Sequence, residues 1–199
     1  NKNNQATAMK QCLNDNGIPA VVAKSGNVFK SAEANALERF LNAVIDPKDS
    51  SLIPLLLSEL FTLNAEEIKE LGDQERFELL TEFVDYHREW EKRGFLRTLQ
   101  KFIDRHQLYT RTLEQDQGER SLSNLYQLRE ILHEEEQSKG LGPSGLLRFL
   151  QEKNQADKVD DQYLQRLETD DNAVKIMTIH KSKGLEFPVV FCPYMWSES

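Results

Sequence analysis

A chain of 199 residues that is 39% hydrophobic and 29% charged has the make-up of a water-soluble globular protein, with room for one large domain or two small ones. Its net charge of −8 excludes a simple basic DNA-coating protein but leaves open phosphate contact through one local patch. No run approaches the ~20 apolar residues that span a bilayer, the polar start Asn1-Lys2-Asn3-Asn4 is no signal peptide, and Cys12 and Cys192 give neither a disulfide framework nor metal spacing, so a reducing cytoplasm is expected.

The start lacks an initiator Met, so the chain reads as an excised fragment. Ala6, Met9 and Leu13 recur at helical spacing over Gln5–Asn14, with Gly17 as the C-cap. A β-prone run, Ile18–Ala23, follows, then a turn at Lys24–Asn27. Helix, turn and strand in this order make half of an α/β unit. Ser31 is a good N-cap for a helix to Ile45 striped by Leu37, Phe40, Leu41 and Val44. Asp46-Pro47-Lys48-Asp49 stops it.

From Ser50 to Leu167 the pattern is helical throughout. Ser50-Ser51 caps Leu52–Phe61, with Pro54 expected in its first turn. Asn64 caps Ala65–Leu71, and Gly72 closes it. Phe77, Leu80, Phe83, Val84 and Trp90 mark a long helix that Gly94 breaks, and Phe95, Leu99, Phe102 and Ile103 continue to His106. Ser121–Glu136 and Gly145–Lys153 complete an all-helical domain of amphipathic stripes. The helical pattern sets 49–168 apart as an insertion between 1–48 and 169–199.

The most informative stretch comes last. Ala173–Ile179 alternates and is β-branched, so it reads as a strand; Val189–Cys192 reads as a second, fully buried one. Between them His180, Lys181, Ser182, Lys183, Gly184, Leu185 and Glu186 form a polar knot. Lysines, a hydroxyl and a glycine suit phosphates, and Glu186 suits a sugar hydroxyl; a solvated turn would carry the same residue types.

The literal string Thr178-Ile179-His180-Lys181-Ser182-Lys183-Gly184-Leu185-Glu186-Phe187 resembles motif V of the superfamily-one DNA helicases, the group of UvrD, PcrA, Rep and RecB. The resemblance extends over nearly the whole chain, because those helicases insert an all-helical subdomain into their second RecA-like domain between motifs IV and V. It therefore implies a mostly α fold: an all-helical insertion (the 2B type) attached to part of a RecA-like α/β domain of the P-loop NTPase type, with a few parallel strands. Gly26, Phe29 and Glu33 loosely match motif IV, with Lys30 nearest to its arginine, so Phe29 and Lys30 are weaker nucleotide candidates. A buried Phe29 capping a helix is the competing reading. Tyr86–Gly94 and Gly118–Leu125 resemble RecB-type helix ends, which favours that branch over UvrD-like and AddA-like helicases.

By resemblance, Lys183, Gly184 and Glu186 face the nucleotide, and Thr178, His180 and Ser182 face single-stranded DNA. ATP and Mg2+ are implied for the full-length protein, and DNA and RecC-like and RecD-like subunits are its implied partners. No GxxxxGK[ST] loop is present, motif VI would follow Ser199 and the nuclease carboxylates lie elsewhere, so the fragment alone is expected inactive, with no cofactor bound. Arg97, Lys101 and Arg105 lie at i, i+4 and i+8, either a phosphate-facing stripe or a solvated face. Histidines without partner ligands give no metal site, and Trp90 and Trp196 read as packing residues.

Overall fold

The computed structural model describes residues 2–22, 26–61, 64–115, 117–156, 163–165, 173–182 and 185–193. The chain forms two compact units, one from its two ends (Asn1–Lys24 and Thr169–Ser199) and one from Ser25–Glu168. It is a mostly helical fold with a small parallel sheet.

In the first unit, helix α1 (Lys2–Asp15) closes on Gly17, whose φ of 73° is the left-handed backbone that a glycine C-cap supplies. Ile18 N–H then donates to the Leu13 carbonyl at 2.9 Å, and Ala20 N–H to Asn14 Oδ1 at 3.1 Å. These bonds turn the chain into β1 (Ala20–Val22). It pairs in parallel with β2 (Val174–Ile176), in the register Ala20 with Val174 and Val22 with Ile176. β2 is shorter than the alternation predicts. The Thr178 carbonyl accepts from Ser182 N–H at 3.2 Å, which starts the one-turn helix α9 (Ile179–Ser182).

The Val189–Cys192 run is not a strand. Val189, Val190 and Phe191 are 70%, 65% and 84% exposed, and no described residue pairs with them. An apolar run becomes a buried strand only when neighbouring strands and covering helices enclose it. Within this unit Ala20 is the one hydrophobic residue fully buried among those described.

The large buried side chains lie in the helical unit. A 3-10 turn, Val28–Lys30, leads through N-cap Ser31, whose Oγ accepts from Ala34 N–H at 3.2 Å, into α2 (Ala32–Ile45). Around α2 pack α3 (Asp49–Leu56), α5 (Asp73–Arg105), α7 (Gly118–Lys139) and α8 (Pro143–Gln155). α3 starts earlier than expected and Pro54 falls inside it, past the first turn; the helix unwinds after Leu56. α4 (Ala65–Glu70) carries the expected Asn64 cap, answered by Glu67 on Asn64 N–H at 2.8 Å. α6 (Leu108–Leu113), too short to show a stripe, has no counterpart in the sequence reading.

α5 is an antiparallel hairpin. Gly94, at φ 78° and ψ 178°, folds it back on itself in a conformation open essentially to glycine alone. Residues of the two limbs meet across it: Trp90 with Phe95, and Tyr86 with Phe102, each eight residues from Gly94, at 5.8 Å. Phe40 of α2 closes the aromatic core, 4.5 Å from Phe102. From α7, the buried Glu136 fastens the turn, its Oε1 accepting from Trp90 Nε1 and from Phe95 N–H, both at 2.8 Å.

Candidate functional site

In open α/β sheets ligands bind beyond the carboxyl ends of the strands. β1 and β2 are parallel and in register, so the chain leaves both at one edge. Met177 and Thr178 continue from that edge of β2, and α9 follows at once, so the motif-like string begins where the strand ends. Thr178 is exposed, and His180 and Ser182 sit on α9. Ser182 Oγ donates to the Ile179 carbonyl at 2.9 Å, which fixes the hydroxyl on its own turn. Lys183 and Gly184 lie outside the described residues. Glu186 is exposed in irregular chain beyond Leu185, whose N–H donates to the Ser182 carbonyl at 3.0 Å. The strand end thus brings together Thr178, α9 and the chain leading to Glu186, with an exposed carboxylate free to accept from a hydroxyl.

The weaker candidates fall in the helical unit. Phe29 is fully buried, edge-on to Phe149 at 5.7 Å and to Tyr163 at 5.1 Å, while its N–H is capped by Asn27. That ring is a packing anchor with no surface to offer a ligand. Lys30 beside it is exposed. Of the basic stripe, Arg105 Nε lies 3.0 Å from Glu82 Oε2 and Lys101 Nζ 4.0 Å from Glu89 Oε2, while Arg97 is exposed. Lys101 and Arg105 therefore pair with acids on the opposite limb of their own hairpin.

Sequence reasoning missed the cluster built on Glu82. Its carboxylate takes the Tyr86 hydroxyl, His106 Nε2 at 2.8 Å and Arg105. Burial pushes the Glu82 pKa up, but the His106 and Tyr86 hydrogen bonds with the His106 and Arg105 charges outweigh it and hold the carboxyl below its ordinary value of 4.5. Burial, then the bond to Glu82, pushes the Tyr86 hydroxyl well above its usual range. The signal was present: Glu82 and His106 stand at equal distances either side of Gly94. Beside the cluster, the two limbs enclose a cleft of about 350 Å³. No group of three or more metal-ligating side chains occurs among the described residues. None of the described helices is long and apolar enough to cross a membrane.

The UvrD-like helicase C-terminal domain family matches residues 1–198. The chain is 31% identical to the RecBCD enzyme subunit RecB of Haemophilus influenzae over 98% of its length, and 31% identical to that of Escherichia coli over 96%. It is 28% identical over 88% of its length to an ATP-dependent helicase/nuclease subunit of Levilactobacillus brevis. In each case it spans 16% of the relative's own length.

Proposed function

The chain belongs to the UvrD-like helicase C-terminal domain family, and on that premise we propose that it is the motif V-bearing part of a RecB-type, ATP-dependent DNA helicase subunit. The observation that carries this reading is that Thr178 and the helix Ile179–Ser182, the first half of the motif-like string, follow directly from the carboxyl end of β2, which pairs in parallel with β1. The whole protein then unwinds DNA in break repair and recombination, works beside RecC-like and RecD-like subunits in the cytoplasm, and carries its exonuclease in another part of the chain.

In this account the loop after β2 has two faces. Thr178, His180 and Ser182 hold the single strand; the Thr178 hydroxyl and an imidazole donate to phosphate oxygens without reading bases, and the Ser182 hydroxyl joins them by giving up its bond to the Ile179 carbonyl. Lys183 places a positive charge, and Gly184 a backbone without a side chain, against the phosphates of ATP. Glu186 accepts from the ribose. ATP with its Mg2+, when bound, supplies the phosphoryl-transfer free energy; this chain's residues bind, orient and transmit. One short segment with both contacts cannot move toward one ligand without changing its grip on the other, which makes it a coupler.

The exposed apolar run Val189–Phe191 fits the same reading, since further RecA-type strands of the full-length protein would cover it. Replacing Lys183 with Ala in the full-length enzyme tests the proposal. DNA-stimulated ATPase should fall by about 100-fold or more, as when one donor to a developing charge is lost, while single-strand affinity changes by no more than a few fold. Equal losses in both would count against a coupling role.

A further inference from the structure

A buried carboxylate that the motor reading does not use stands in the first turn of α2. Glu33 is 8% exposed, and Asn124 Nδ2 donates to its Oε2 at 3.0 Å. Among the described residues no Lys, Arg or His pairs with it. The two arginines next in sequence to its neighbours are turned elsewhere, Arg111 to the Phe61 carbonyl at 2.8 Å and Arg120 to Gln165 Oε1 at 2.7 Å. The N-terminus of α2 offers about half a positive charge. The rest of the negative charge is uncompensated, and buried charges are as a rule paired or bound to an ion.

Glu33 lines a cavity of about 10 Å³, room for one water-sized occupant. Thr112 of α6 lines it too; it is 4% exposed, and its buried Oγ1 has no hydrogen-bond partner. Ser121 of α7 adds a second hydroxyl. Gln115, also in the wall, donates its Nε2 to the carbonyl of the exposed Glu59 at 3.2 Å, which leaves its amide oxygen to accept. Leu60 and Leu125 make the remaining wall apolar. A water would satisfy the orphaned Thr112 hydroxyl but not the charge of Glu33. We propose that the cavity binds a hard monovalent cation, Na+ or K+, between the Glu33 carboxylate and the oxygens of Thr112, Ser121 and Gln115. One buried carboxylate balances one charge. Ca2+ takes about six to eight oxygens and Mg2+ keeps several waters, more than this cavity can hold. The ion pins the start of α2 to α6 and α7, and nothing in its binding depends on the motif V reading.

The test compares melting temperatures of the chain in NaCl, KCl and choline chloride at equal ionic strength, choline being too large for the cavity. At about ten times its dissociation constant a bound cation raises the folded-to-unfolded ratio about elevenfold, read as a rise of about 3–6 °C over choline chloride. Glu33→Gln removes the charge and Thr112→Val removes one oxygen at nearly constant volume, so each should melt at one temperature in all three salts. The valine variant keeps the test decisive if the glutamine variant fails to fold. A parent that melts alike in the three salts, the mark of a bound water only, would overturn the assignment. So would a Thr112→Val or Glu33→Gln protein that keeps the parent's gain in NaCl or KCl.

Discussion

Replacing Glu136 tests whether the α5 hairpin is held by one carboxylate from α7. Its Oε1 receives two buried donors, the Trp90 indole and the Phe95 amide, each at 2.8 Å. Glu136→Ala orphans both, and each buried unpaired donor costs ~1–3 kcal/mol, so the sum is about 4 kcal/mol. For a unit of this size that corresponds to about 8–16 °C in melting temperature, read as circular dichroism at 222 nm. Glu136→Gln keeps a carbonyl oxygen at the same place and loses only the charge, about 1 kcal/mol and ~3 °C. An alanine variant that melts within ~2 °C of the parent, or a glutamine variant as damaged as the alanine one, would refute this account of the hairpin.

Gly94→Ala should destabilise by about 2–3 kcal/mol in urea unfolding, because a side chain is forced into a glycine-only region and its Cβ would sit 3.2 Å from Glu136 Oε2. Since the folded Glu82 carboxyl titrates below its ordinary 4.5, its contribution is fully present above that value and fades as pH falls through the lowered one. Urea midpoints of parent and Glu82→Gln should accordingly converge as pH falls through that lowered value; a gap that widens on acidification would contradict the cluster. Phe29→Ala should act on stability, by about 3–5 kcal/mol in chemical denaturation. In the full-length protein, once the variant is shown folded, nucleotide affinity should match the parent; a selective loss of nucleotide binding would restore the motif IV reading.

The helical part was legible because amphipathic stripes and caps are local. The Leu37/Phe40/Leu41/Val44 stripe does face the core, and Ser31, Asn64 and Gly94 act at their own positions. The grouping of the 3-10 turn and α2 with the helical unit was not, since it depends on contacts such as Asn124 Nδ2 to Glu33 Oε2 at 3.0 Å, 91 residues apart. The Val189–Cys192 reading failed for a related reason: burial belongs to neighbours and not to the run itself. The Thr178–Phe187 string was legible as a resemblance, and the position of Thr178 just past the carboxyl end of β2 follows from the β-branched run before it. The Glu82 cluster escaped because its members sit on two limbs joined by a turn, so only pairing about Gly94 unites them.

The central claim, that the corner after β2 links nucleotide state to DNA grip, is tested most directly by a coupling measurement. Single-strand affinity of the full-length protein is measured with and without a non-hydrolysable ATP analogue, for the parent and for Glu186→Ala. The account predicts that the analogue shifts parental affinity ~5–150-fold, the usual range of site-to-site coupling, and that Glu186→Ala brings the shift close to one while affinity without nucleotide stays within about twofold. A Glu186→Ala protein that keeps the full nucleotide-dependent shift would contradict it.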